Sequence, residues 1–179
     1  MKKLPKTITQ EEFELLFKES EKLRNKSKKR KTRINQYMIA MLLGFEAGLR
    51  ISEIVGYKDK IKSLTKEQIQ DSNIKILGKG QKERIVPRPR RLNQKSIDEL
   101  PLKVNRRSLQ KFVEVMGLKV LNKKISFHTL RHGFGSHLAG MNRPLHEIQM
   151  LMGHSRLDTT GIYLHANPSK AIEGAREVF

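Results

Sequence analysis

The chain has 179 residues, 37% of them hydrophobic, enough to bury the core of one ordinary domain. Its 37 lysines and arginines against 18 acidic residues give a formal net charge of +19, more than solubility requires, so a polyanion is the expected partner. There is no cysteine, which excludes a disulfide framework and a thiolate metal site, and no apolar stretch approaches the ~18 residues of a spanning helix, so no membrane partner is expected.

Met1 to Thr9 is charged but leads into Gln10, Glu11 and Glu12 without the apolar segment of a secretory signal, so a cytoplasmic location is expected. Thr9 and Glu12 have capping-box spacing, and Ile8 and Phe13 can close over them as a hydrophobic staple; together they predict a first helix from Thr9 to about Leu23. From Lys26 to Arg33, six of eight residues are Lys or Arg. Like-charge repulsion predicts a solvated linker there, either a solubilising surface or a phosphate contact, or both. Met38, Leu42 and Phe45, with Ile39, Met41 and Leu43, predict a mostly buried helix over Ile34 to Ala47, closed by Gly48. Arg50 follows that stop, and a short helix around Ser52 to Val55 would hold it in a tight junction. Ile74 and Ile76 alternate with Lys75, Gly78 to Gln81 form a turn, and Arg84 to Val86 are again extended, which predicts a β-hairpin with Lys79 near its tip.

Past Pro87 to Arg91, the helical spacing of Leu109, Phe112, Val113 and Met116 predicts another core helix, with Gly117 as its stop. Phe127, Leu130, Phe134 and Leu138 then recur at three and four residues, burying one helix face and leaving His128 and Arg131 to share another. Pro144 is placed to start a helix that carries Leu145, Ile148 and Met152 inward and ends at Gly153. His154 lies just beyond. After a polar turn over Ser155 to Asp158, a last short helix from about Thr159 presents Tyr163.

Arg50, Arg131, His128, His154 and Tyr163 are the groups needed to attack a DNA phosphate without metal. Charge building on the nonbridging oxygens must be neutralised, and arginine's planar fork holds two oxygens while keeping its proton, so Arg50 and Arg131 would form an electrostatic cradle. Tyr163 would be the nucleophile; only about one phenol in a thousand is ionised at pH 7, so it needs His128 as proton acceptor or relay and nearby guanidinium charge. Lys79 would protonate the departing sugar oxygen, and His154 would donate a hydrogen bond to a phosphate oxygen. A phosphotyrosine conserves the bond energy, so rejoining needs neither ATP nor metal. Double-stranded DNA is then the partner, with Lys28, Lys29, Arg30, Lys31, Arg33, Lys82, Arg84, Arg88, Arg90 and Arg91 as the expected DNA-binding residues.

These residues stand in four boxes, AGLRISEI, GKGQKERIVP, HTLRHGFGSHL and LMGHSRLDTTGIYLH, in that order. The set resembles the catalytic domain of the tyrosine recombinase (phage-type integrase) family, most of all its Xer-type and archaeal integrase members. The resemblance implies a mainly α-helical, DNA breaking-rejoining fold with a small β-hairpin or three-stranded sheet. It also implies Arg50, Lys79, His128, Arg131 and His154 around the phosphate, Tyr163 as nucleophile, and Glu53 supporting the first arginine from behind. It implies cleavage and rejoining through a 3′-phosphotyrosine, with no cofactor and no metal, by a homo-oligomer, dimer or tetramer, assembled on DNA. The expected domain covers residues 9–167, with 1–8 as an N-terminal extension and 168–179 as a tail docking on a neighbouring protomer. The N-terminal core-binding domain that usually accompanies it is not expected, and the stretch between Arg91 and Asn105 is short.

Taken singly, each residue has a plainer reading. Arg50 fits a surface ion pair, Lys79 a solvated turn, and Tyr163 a core aromatic with its hydroxyl at the rim. His128 and His132, four apart, suggest a metal site, but no HExxH run, cysteine or third ligand on that face supports one. Two rival functions stand beside strand exchange: a noncatalytic DNA-binding module, and a type IB topoisomerase-like enzyme that nicks and closes without exchanging partners.

Overall fold

The computed structural model describes residues 6–77 and 83–153. Thr9 caps α1 (Gln10–Lys26): its hydroxyl accepts from the Glu12 amide at 3.2 Å while the Glu12 carboxylate accepts from the Thr9 amide at 3.2 Å. Ile8 and Phe13 are both buried, as the staple requires. The helix runs past Leu23, and α2 (Lys31–Glu46) begins before the basic tract ends, so the expected linker over Lys26 to Arg33 shrinks to residues 27–30. A helical turn projects Lys31 and Arg33 into water, which relieves their repulsion without unwinding the chain. At the other side Arg24 and Lys26 face the negative end of the α1 dipole.

α2 is buried over most of its length and forms the centre of the domain. Phe45 stacks on Phe13 of α1 with ring centroids 4.1 Å apart. Against α6 (Phe127–Gly140) the packing is reciprocal: a Cβ on Gly44 would stand 2.7 Å from the Phe127 ring, and one on Gly133 would stand 2.7 Å from the Phe45 ring. Each helix thus places an aromatic ring over the other's bare backbone, which fixes their separation and rotation. The end of α2 is set by Gly48, whose φ of 64° lies in the left-handed region and whose missing side chain makes room for Phe134.

Arg50 then caps α3 (Ile51–Val55), and a single 3₁₀ turn, Lys66–Gln68, leads to β1 (Asn73–Leu77) and β2 (Glu83–Pro87). The strands pair antiparallel with Ile74 opposite Val86 and Ile76 opposite Arg84. Of the two sheet forms expected, the described residues hold the two-stranded one. The short stretch between Arg91 and Asn105 contains a short helix, α4 (Gln94–Ile97), at whose start the Asn93 side chain accepts from the Ser96 amide.

α5 (Arg106–Leu121) starts at Asn105, whose side chain accepts from the Ser108 amide at 2.8 Å. It does not stop at Gly117. The helix continues to Asn122, which takes the left-handed conformation, and Gly117 is small because Ile125 lies against it, leaving no space for a Cβ. α7 (Leu145–Met152) follows Pro144 and ends at Gly153, φ 59°. Ile148 and Met152 are buried with Phe134 in a second small cluster, while Leu145 is only half-buried. No helix among the described residues is long and apolar enough to cross a membrane.

Candidate active site

The turn that ends α2 delivers Arg50 to the N-cap of α3, where its backbone amide donates to Glu53 Oε2 at 2.7 Å. Its guanidinium donates from Nη1 to Glu53 Oε1 at 3.0 Å and from Nη2 to the Gly153 carbonyl at 3.2 Å. About a third of this side chain, 34%, remains open to solvent. Arg131, on α6, lies beneath at 3% exposure, and its two terminal nitrogens donate to the carbonyls of Gly48 and Met152. The two arginines expected to form a cradle therefore come together, tied to adjacent carbonyls of one helix end.

A third arginine joins them. Arg84 was expected to face DNA, but its side chain is only 8% exposed and forks onto Glu53, with Nη1 to Oε1 and Nη2 to Oε2 both at 2.8 Å. Its Nε donates to the Leu151 carbonyl at 3.0 Å. Carbonyls 151, 152 and 153 thus accept from Arg84, Arg131 and Arg50 in turn. These carbonyls close the last turn of α7, where the helix dipole is negative and backbone acceptors lack intrahelical donors.

Glu53, 5% exposed, binds this group together. Burial alone pushes its carboxyl up, but the hydrogen bond and charge of Arg84, then the amide and charge of Arg50, outweigh that and hold it down at about 2. The carboxylate stays ionised at any ordinary pH. His128 sits on the exposed side of α6. Partial loss of hydration, and then the charges of Arg131, Arg50 and Arg106, push it below the ordinary histidine value. Its neighbour His132, edge-to-face at 5.8 Å, is pushed down to about 4, by burial first and then by His128 and Arg131. Both imidazoles are neutral near pH 7, and a neutral His128 is able to accept a proton. No cluster of three or more His, Cys, Asp or Glu side chains suited to a metal ion forms among the described residues.

Lys79, Lys82, His154 and Tyr163, named from the sequence, lie outside the described residues. Of the expected DNA contacts, Lys28, Lys29, Arg30, Lys31, Arg33 and Arg90 are exposed. Arg88 instead donates to the carbonyl of Leu92 at 2.9 Å. Arg91 pairs with Glu14 and Glu46 and stands 4.7 Å over the Phe17 ring, joining α1 to α2. The buried role of Arg84 was missed, although a signal existed: in KERIVP it shares the inward face with Val86, and an arginine facing a core needs an acid. Arg106, whose charge reaches His128, was also missed.

Residues 98–170 match the model of the phage integrase family. A tyrosine recombinase XerC of Mannheimia succiniciproducens is 32% identical over 185 residues, covering 93% of this chain and 58% of that protein. Among solved structures, the XerH site-specific recombinase bound to difH substrate superposes with a TM-score of 0.75 at 24% identity, over 97% of this chain and 54% of that one. The catalytic domain of bacteriophage HP1 integrase superposes with a TM-score of 0.64 at 20% identity, over 95% and 93%. The fold is therefore shared with these catalytic domains. The chain spans about half the length of the curated relatives it matches.

Proposed function

We propose that the chain is a member of the phage integrase family, the family of the tyrosine recombinases, and that it cuts and rejoins DNA at specific sites through a covalent 3′-phosphotyrosine; the match of residues 98–170 to that family and the 32% identity to a tyrosine recombinase XerC support this reading. The observation that carries this reading is the convergence of Arg50 and Arg131 on the adjacent carbonyls of Gly153 and Met152, directly before His154 in the chain. A DNA phosphate seated there meets Arg50 from the open side and Arg131 from the buried side, where charge is less screened.

In this mechanism the Tyr163 hydroxyl gives its proton to neutral His128 and its oxygen attacks phosphorus. The bond from phosphorus to the 5′ oxygen breaks, and that oxygen takes a proton from Lys79. His154 donates to a nonbridging oxygen throughout. The 3′ end is left on Tyr163, and attack by a 5′ hydroxyl of the same or another strand reverses each step without ATP or metal. Glu53 holds Arg50 and does not touch the phosphate. Two or four copies on paired DNA sites would exchange strands between duplexes.

The test is incubation with end-labelled nicked duplex in chelator and without ATP. A denaturation-resistant adduct is expected, lost in Tyr163→Phe while gel-shift affinity persists. A noncatalytic binder gives no adduct. An enzyme that only nicks and closes gives the adduct and relaxed supercoils but no product joining two labelled duplexes.

A further inference from the structure

We infer that Arg84 is a positioning residue for strand cleavage, a role that rests on the phosphate-transfer reading above: it sets Arg50 and the last turn of α7 in one frame without itself touching DNA. Its fork takes both oxygens of Glu53, the same carboxylate that holds the Arg50 amide and guanidinium. Its Nε takes the Leu151 carbonyl, two residues before the carbonyl that Arg50 takes. The contact is built from both sides. A Cβ on Gly153 would stand 2.9 Å from Arg84 Cδ, so the α7 end is bare where the Arg84 stem crosses it.

Two physical consequences follow. The fork adds two hydrogen bonds to the two that the Arg50 amide and guanidinium already make with the Glu53 carboxylate, so it further restrains the plane of that carboxylate, which in turn holds the Arg50 head. The charge balance also changes. Two guanidinium groups on one carboxylate leave the group net positive, so Arg50 keeps charge to offer a phosphate, whereas Glu53 and Arg50 alone sum to zero. Arg84 further links β2, the strand that follows Lys79 in the chain, to the end of α7, which precedes His154 in the chain.

The experiment times single-turnover adduct formation on nicked duplex, with DNA affinity and thermal melting measured alongside, for wild type, Arg84→Met, Arg84→Lys, Arg50→Met and the Arg50→Met/Arg84→Met pair. Sulfur replaces the departing 5′ oxygen so that slow variants still give a rate. Arg84→Met is expected to slow the adduct by about 100-fold, as a ~1 Å misplacement does, with affinity changed less than about threefold. Arg84→Lys keeps the charge, loses the fork and falls between. In the Arg50→Met background Arg84→Met costs less than it does alone, because part of its effect acts through that residue. A wild-type rate in Arg84→Met, or its full loss repeated in the Arg50→Met background, overturns the inference. If Arg84→Met does not fold, Arg84→Lys decides: wild-type melting with a wild-type rate overturns it as well. No adduct from wild type removes the phosphate-transfer reading and this role with it, while active wild type with equally active Arg84 variants removes the role of Arg84 alone.

Discussion

Glu53 carries two arginines on one buried carboxylate, and its titration makes that arrangement measurable. Held at about 2 against an ordinary value of 4.5, it is a group whose folded pKa is depressed. Its contribution to stability is therefore complete above pH 4.5 and is lost as the pH falls from there towards 2, because the unfolded chain takes up the proton first. The shift corresponds to about 3 kcal/mol, similar to the cost of breaking a buried ion pair by removing one partner. Glu53→Gln should lower unfolding stability by roughly that amount at pH 7, and the gap from wild type should close as urea titrations move from pH 5 towards pH 2. A gap that stays constant over that range would mean Glu53 is not ionised in the fold. His128 makes a second pH prediction of the same sign in rate. Its pKa is pushed below the ordinary 6.5, and in the proposed mechanism it must be neutral to accept the tyrosine proton. The acid limb of adduct formation should then lie below pH 6.5; a limb at or above that value would assign the proton to another group.

Between α2 and α6 the domain relies on two bare backbones under two rings, and those helices place Arg50 and Arg131. Gly133→Ala tests the contact. Alanine gains about 1 kcal/mol of helix propensity over glycine, but its Cβ would stand 2.7 Å from the Phe45 ring and 2.9 Å from the Ile8 carbonyl, which as backbone cannot swing away. Overpacking of this kind costs about 1–3 kcal/mol, so the net effect after that gain should be a loss of up to about 2 kcal/mol in chemical denaturation, with adduct formation slowed as the helices part. The same elements show how far the sequence can be read. The capping box at Thr9, the left-handed stop at Gly48 and the hairpin alternation are short-range signals, and each survives folding because its partners lie within about a dozen residues along the chain. Gly117 misleads because a glycine after an apolar stripe reads as a helix end, whereas its reason is Ile125 packed from the following segment. Arg84 shows the same limit within the site. Its inward direction is written in the alternation, but its partner Glu53 lies 31 residues away, and no local pattern names it.

Across the described residues, several acids tie elements together while most of the bases face outward. Glu12 pairs with Lys123, Glu14 and Glu46 with Arg91, Glu19 with Lys22 and Lys119, and Glu53 with Arg50 and Arg84. A formal charge of +19 remains, and the turn between α1 and α2 presents Lys28, Lys29 and Arg30 together on the surface. If that turn lies along a DNA backbone, each residue neutralises a phosphate and releases condensed counterions, adding about 0.9 to the slope of log affinity against log salt. Replacing all three with glutamine should then flatten the slope by nearly 3 and weaken binding similarly on every sequence, because phosphate contacts carry no base information. Adduct formation at saturating DNA should be unchanged, since these residues lie on the opposite end of α2 from the turn that carries Arg50. Titrations at salt concentrations from about 50 to 200 mM would measure the slope. An unchanged slope with three charges removed would show that the turn serves only to keep the protein in solution, leaving the DNA path to other surfaces.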